Sequence, residues 1–594
     1  MKTTNIKKVT ATVMAAIMSA ATLMGCGFKA TAAPTASENV YYADTEPEGY
    51  YEEPMAAADE AIACSASAYD NSTDDEKIYY GCYADTEEAE EYAAECYDSY
   101  DGYDNSASVN YSNNYLAPQM KRNDSYLGSA YDFSGRDSGR RTNTEEYSEF
   151  DEHGYMSVKN HPLSTFAADV DTASYANLRR MLQEGYRLRD IPEGAVRIEE
   201  LINYFDYDYK GPKGSDPFGV NAELSYCPWN EDALLMSIGL KTEDINYSEA
   251  PDSNLVFLID VSGSMAGDDK LPLLKEAFGM LVDELSEKDR VSIVTYANGV
   301  DTVLKGASGD EKRKIKNAIR DLEASGATNG GEGIKTAYRV AEKYFIKGGN
   351  NRIILATDGD LNLGITSVDD LHDLVSRKKE SGVFLSVLGF GTGNIKDNRM
   401  ETLADNGNGN YSYIDSLKEA KKVLVDELCS NMLTICKDVK LQVEFNPEVV
   451  KGYRLLGYDN RVMKDRDFND DKKDGGEIGA GHEVTVLYEI IPTSEYADIR
   501  YGKCDTDILT LDVRFKRPAE DVSSLLSYPI TFEAFSASPS DEFEFKSAVA
   551  EFGLLASDSM FAQYADLDNV IDRLESIELN DDYKTEFYKL ICSL

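Results

Sequence analysis

Residues 255–259, Leu-Val-Phe-Leu-Ile, are apolar without interruption and stop at Asp260. A strand with one face in water alternates apolar and polar side chains. An unbroken run of this length ending at a carboxylate reads as a strand covered on both faces. A sheet sandwiched between helices provides such cover, so the run points to a doubly wound α/β fold. Ser262 and Ser264 follow at alternate positions on the loop leaving the strand. In open α/β sheets the binding crevice lies outside the carboxyl ends of the strands. One carboxylate and two hydroxyls there form a hard-oxygen cradle suited to a divalent cation such as Mg²⁺.

The surrounding sequence supports that sheet. After the run come a helix over Leu271–Leu285, with Leu274, Phe278, Leu281, Val282 and Leu285 on one face, and a strand over Arg290–Tyr296. A short edge strand, Thr302–Leu304, precedes helices at Asp310–Leu322 and Gly333–Phe345. Strand Ile353–Ala356, helix Val368–Glu380, strands Val383–Gly389 and Tyr411–Ile414, and a long closing helix over Leu417–Ile435 complete the unit. Strands and helices alternating at these lengths indicate a mostly parallel, Rossmann-like sheet. A cation at Asp260 needs further ligands from loops at the same carboxyl edge. The Gly326–Gly331 loop offers Thr328, and Thr357-Asp358-Gly359 offers Asp358, with glycines that allow close backbone approach.

The set Asp260-x-Ser262-x-Ser264, Thr328 and Thr357-Asp358-Gly359 resembles the metal-ion-dependent adhesion site of von Willebrand factor A domains, which also occur in integrins. All five motif positions are filled, over roughly 180 residues. The resemblance implies hydroxyl ligation by Ser262, Ser264 and Thr328, with Asp260 and Asp358 acting mainly through bound waters. It implies Mg²⁺ as the cation, with Mn²⁺ or Ca²⁺ as alternatives, and an open position for a Glu or Asp carboxylate of a protein ligand. It also implies coupling between ligand binding and movement of the last helix, here Leu417–Ile435. Two further stretches, Phe166–Tyr175 and Gly479–Glu489, resemble the flanks of secreted or lipid-anchored bacterial members often labelled calcium-activated-chloride-channel-like. That label reflects shared domain content and carries no channel activity here.

The ends of the chain read differently. Lys2, Lys7 and Lys8, an apolar stretch over Val9–Met24, and Leu23-Met24-Gly25-Cys26 resemble a bacterial lipoprotein leader, with Cys26 the lipidated residue. Residues 1–25 are then a signal peptide, and the protein is exported and lipid-anchored at the cell membrane or surface. Residues 26–150 are rich in Asp, Glu and Tyr, with Lys77 the single lysine between Glu38 and Asp104, a composition that self-repels and stays disordered. Residues 151–250 read as an N-terminal flanking unit. It carries helical patterns around Tyr175–Leu182 and Val196–Phe205, then strands Val220–Tyr226 and Ala233–Lys241. The central domain spans 251–437. Residues 438–594 read as a β-rich module with helices at Asp541–Ala556 and Asp566–Ile577.

Several function classes fall away. A net charge of −47 opposes nucleic-acid binding, which rests on Lys and Arg at phosphates, and leaves membrane contact to the lipid anchor. No catalytic residues are assigned and no enzyme is expected. Ser262 and Ser264 have no recognisable Ser-His-Asp arrangement around them. His153, His161, His372 and His482 lie far apart and form no zinc motif. The nine cysteines include no C-x-x-C pair, and Cys429 and Cys436 fall seven apart on the expected closing helix. Asp358, Asp360, Asn362 and Asp369 mimic a calcium loop, but Gly364 is one place late and position twelve is Asp. Asp169 and Asp171 suggest a phosphotransfer motif that Ala173 breaks, which leaves a turn. The Gly326–Gly333 stretch lacks the Lys-Ser/Thr ending of a phosphate loop. Trp229, the only tryptophan, reads as core. The alternative to ligand capture is an envelope scaffold or assembly factor whose metal site is occupied internally.

Overall fold

The computed structural model describes residues 143–168, 171–328, 330–359, 374–378, 381–493 and 506–594. The leader, Cys26, most of the acidic stretch, Asp169, His372, most of the 368–380 helix and most of the calcium-loop mimic lie outside them.

In chain order, the first part holds strands β1 (Met156–Ser157) and β2 (Leu163–Ala167), and helices α1 (Ala173–Gln183) and α2 (Ile198–Ile202). Strands β3 (Phe218–Tyr226) and β4 (Leu234–Thr242) end it. The central domain opens with β5 (Ser253–Asp260), α3 (Leu271–Glu284), β6 (Arg290–Tyr296), β7 (Val300–Ser308), α4 (Lys312–Arg320) and α5 (Gly330–Lys343). It continues with β8 (Asn350–Thr357), β9 (Phe384–Phe390), α6 (Asp397–Asn406) and β10 (Tyr411–Ile414).

These strands form one sheet in the order β10-β9-β8-β5-β6-β7, parallel except for the antiparallel edge strand β7. Every residue of β5 is buried. Leu255, Phe257 and Ile259 pack on the side of α3, where the Phe257 and Phe278 rings stack at 4.5 Å. Val256 and Leu258 pack on the opposite side with Ile334, Ala337, Tyr338 and Ala341 of α5. Each such buried side chain contributes about 1.5–3 kcal/mol, which explains why the run tolerates no polar residue until its end. Helix α6 is unexpected: its sequence is polar, and Met400, Leu403 and Ala404 alone supply its apolar face.

The expected closing helix over Leu417–Ile435 is not one helix. Helix α7 (Leu417–Lys421) passes into a π-helical turn over Lys422–Asp426, and α8 (Leu428–Met432) follows. The Asn431 amide donates to the carbonyl of Val423 at 2.9 Å, a side-chain insertion that breaks the ladder. Thr434 and Ile435 are already strand, and Thr434 pairs with Gly479. Cys436 is therefore on a strand, and Cys429 and Cys436 are both free thiols.

The remaining strands are β11 (Thr434–Phe445), β12 (Val450–Leu455), β13 (Gly476–Gly479), β14 (Glu483–Pro492), β15 (Asp507–Lys516) and β16 (Ser524–Thr531). Helices α9 (Asp541–Ala556), α10 (Leu567–Glu575) and α11 (Asp582–Ile591) close the chain. Residues 151–250 and 438–594, read from the sequence as two flanking units, share their sheets. One runs β1-β12-β14-β4-β3, and in the other β2 pairs with β11 beside β13, β15 and β16. Met236, Ile238, Leu441 and Val513 meet in one core between them. Helices α1, α2, α9, α10 and α11 form a second core with Leu235 and Leu487. Trp229 belongs to it, as expected, and its indole donates to Glu489 at 2.6 Å.

Candidate cation-binding site

The sheet order fixes where a site can form. From β5 the chain moves outward through β6 and β7, then crosses to β8 on the other side and proceeds to β9 and β10. The reversal leaves a crevice at the carboxyl ends of β5 and β8. Asp260 is the last residue of β5, Thr357 the last of β8, and Asp358 follows it.

Hydrogen bonds hold the first loop in shape. Asp260 Oδ1 accepts from the Ser262 amide at 2.8 Å, and Oδ2 accepts from the Thr357 hydroxyl at 3.2 Å. The Ser262 and Ser264 hydroxyls are 2.9 Å apart. The second loop is tied to the first: Gly263 donates to Gly326 O at 2.9 Å, and Ser325 donates to Val261 O at 2.8 Å. Asn298 Oδ1 accepts from the Ala327 amide at 2.7 Å. Gly326 sits at φ +84°, and a β-carbon there would strike the Asn298 side chain. Thr328, half-buried, is two residues along that anchored loop.

Asp260 and Asp358 are both buried. Burial is the main force raising the Asp260 pKa to about 6, and the charge of Asp358 adds to it, against hydrogen bonds from Ser262 and Thr357. The Tyr296 hydroxyl is buried beside Asp260 and Thr357 without a well-formed hydrogen bond. Two buried carboxylates with convergent hydroxyls fit a hard divalent cation, and the donor set holds no thiolate or imidazole. Among the described residues no group of three or more His, Cys, Asp or Glu could hold a metal ion.

Sequence reasoning missed Lys270. It lies at the start of α3, is 4 % exposed, and its ammonium pairs with Asp358 Oδ2 at 2.8 Å. In Asp268-Asp269-Lys270 it reads as part of a solvated turn, and no periodicity marks it as buried. The lysine stem runs past Gly391, where a β-carbon would collide with Cγ and Cε of Lys270. The loop that begins at Gly391 also packs on Gly359: a β-carbon there would meet Asn394 O at 2.7 Å and the Lys396 amide at 2.8 Å. Residues 144–146 lie along the same loop. Thr144 donates to Gly393 O at 3.0 Å, Glu146 donates to Ile395 O at 2.9 Å, and Glu145 Oε1 accepts from the Gly393 amide at 2.8 Å.

Asp171 accepts from the Tyr411 amide at 2.8 Å and pairs with Arg461. His153 pairs with Asp459, and His482 lines a small cavity with Asp206 and Glu483.

Comparison with known proteins agrees with this architecture. The family described as von Willebrand factor type A domain matches residues 254–426. A family described as von Willebrand factor matches residues 141–237, and one described as uncharacterized protein YfbK, C-terminal, matches residues 430–594. The uncharacterized protein YfbK of Escherichia coli (strain K12) is 41% identical over 470 residues, covering 75% of this chain and 80% of that protein. Inter-alpha-trypsin inhibitor heavy chain H3 of Homo sapiens is 25% identical over 52% of this chain, which spans 38% of the inhibitor chain. Among solved structures, a von Willebrand factor type A protein from Catenulispora acidiphila aligns with 65% of this chain and 91% of its own, at 16% identity and a TM-score of 0.39. With the YfbK match reaching from the flanking strands through the central domain, this chain belongs to the von Willebrand factor type A domain family that includes YfbK.

Proposed function

We propose that the protein captures an acidic group of a protein ligand through a divalent cation held by Asp260, Ser262, Ser264, Thr328 and Asp358. The observation that carries this reading is the meeting of Asp260, Ser262 and Ser264 with Asp358 at the switch point of the sheet. Magnesium is the favoured ion, with Mn²⁺ or Ca²⁺ as alternatives. The bound cation would supply a Lewis-acid position for a ligand carboxylate. The chain's own residues do the rest. Thr357 and the Ser262 amide orient the Asp260 carboxylate, and the Gly263–Gly326 hydrogen bond keeps the Thr328 loop in place. The protein works in this reading as an exported binding protein lipidated at Cys26, and not as an enzyme.

The test is capture of ligand proteins from cell envelopes in Mg²⁺ against chelator, using the membrane fraction of wild-type, Cys26→Ser and Asp260→Ala strains. Capture should fall at least tenfold with chelator or in Asp260→Ala, and Cys26→Ser should leave the membrane. Equal capture under all conditions would sink the cation reading.

A second reading has its own support. Arg179, Arg197 and Arg461, from outside the central domain, all pair with its acidic residues, Arg179 and Arg197 from buried positions and Arg461 from a half-buried one. That clamping suits an envelope scaffold whose metal site is filled internally. Its complexes would survive chelation.

A further inference from the structure

Lys270 builds a cation into the site from the chain itself. Its side chain is 5 % exposed and its partner Asp358 is fully buried. The slot is specific to a thin stem: Gly391, at φ +76°, leaves the space that the Cγ–Cε methylenes occupy. The neighbouring acids are of another kind, since Asp268 is exposed and Asp269 is turned to the Thr392 hydroxyl at 3.4 Å. The charges described at the inner site are therefore the carboxylates of Asp260 and Asp358 and the Lys270 ammonium, together minus one.

We infer that Lys270 sets the affinity of the site, making it a weak holder of a bare divalent cation and a strong holder of a cation together with a carboxylate. This rests on the cation reading above. With the ammonium retained, the loaded site carries one residual positive charge, and an incoming carboxylate neutralises it. Without the ammonium the loaded site is already neutral, so the bare cation is held more tightly and the carboxylate gains less. Lys270 is a positioning and charge-setting residue: it reaches ligand and cation through Asp358.

The experiment is a titration of the full chain with Mn²⁺ alone, free ion being counted by electron paramagnetic resonance, and repeated in acetate as a carboxylate probe. Wild type is compared with Lys270→Met and Lys270→Gln. The glutamine variant keeps a hydrogen-bond donor for Asp358, so it remains informative if the methionine variant fails to fold. Removing one charge a few ångströms from a divalent ion should tighten Mn²⁺ binding about tenfold. Acetate should strengthen Mn²⁺ binding in wild type and do so less in the variants. Equal or weaker Mn²⁺ affinity in Lys270→Gln, with wild type binding normally, overturns the role of Lys270. Absence of Mn²⁺ binding by every protein, or undiminished binding by Asp260→Ala, overturns the cation reading itself.

Discussion

Glu199 shows how one buried acid writes itself into the stability of the molecule. It sits in α2, 4 % exposed, against the backbone of Gly457 and Tyr458. Burial, and then the charge of Glu200, raise its pKa to about 7 from the ordinary 4.5. The folded state therefore holds a proton between pH 4.5 and 7 that the unfolded chain has released. Stability from this group is full below pH 4.5 and declines as pH rises toward 7. Glu199→Gln keeps the shape without the charge. It should match wild type near pH 4.5 and exceed it at pH 8 by up to about 3 kcal/mol, as read from urea unfolding at the two pH values. Residues of this kind differ in how far sequence exposes them. The placement of Asp260, Ser262, Ser264 and Asp358 at one sheet edge was legible because it follows from spacing along a loop and from position after a strand. Lys270 and Glu199 were not, since a charged residue beside other charged residues looks solvated until the packing that buries it is known.

Among the elements, α7 carries the clearest consequence. Arg179 of α1 donates to both oxygens of Asp415 at 2.8 and 2.6 Å and to Glu419 at 2.8 Å, while the Tyr204 hydroxyl donates to Glu419 at 2.6 Å. Lys418, one residue away, pairs with Glu586 of α11. A buried carboxylate stripped of its partner is costly, so Arg179→Met should lower stability by about 3–5 kcal/mol, measured by chemical denaturation. The helix movement implied by the family resemblance would have to break these pairs or work through the π turn beyond them. Strand and helix identity in the central sheet followed from apolar periodicity, and β5 through β9 lie within a few residues of expectation. The closing helix misled because Leu417–Ile435 keeps an apolar period through a π turn and into a strand; periodicity does not record where a side chain such as Asn431 interrupts the ladder. Helix α6 escaped for the opposite reason, having too few apolar residues to announce itself.

For the whole molecule, the decisive fact is that strands before and after the central domain lie in common sheets. Sequence order separates β4 from its partner β14 by the entire inserted domain, and nothing local to either strand names its neighbour. The two junctions also meet. Gly481 donates to Glu243 O at 2.8 Å and Ala480 donates to Leu433 O at 2.9 Å, so the chain leaves for the central domain and returns at adjacent points. Residues 438–594 expressed alone should not fold, lacking β2 and β4 for their sheets. Residues 143–250 joined to 433–594 by a short Gly-Ser linker should give a cooperative thermal transition, checked by circular dichroism. The contact of residues 144–146 with the 393–396 loop has a mechanical side. Among the described residues, a pull applied at residue 143 meets that loop, next to Gly359 and Asp358, before it reaches any of the strands β1 to β16. If the chain is anchored upstream and captures a ligand as proposed, tension would be delivered to the rim of the site, and the strength with which that ligand is held would become a function of load.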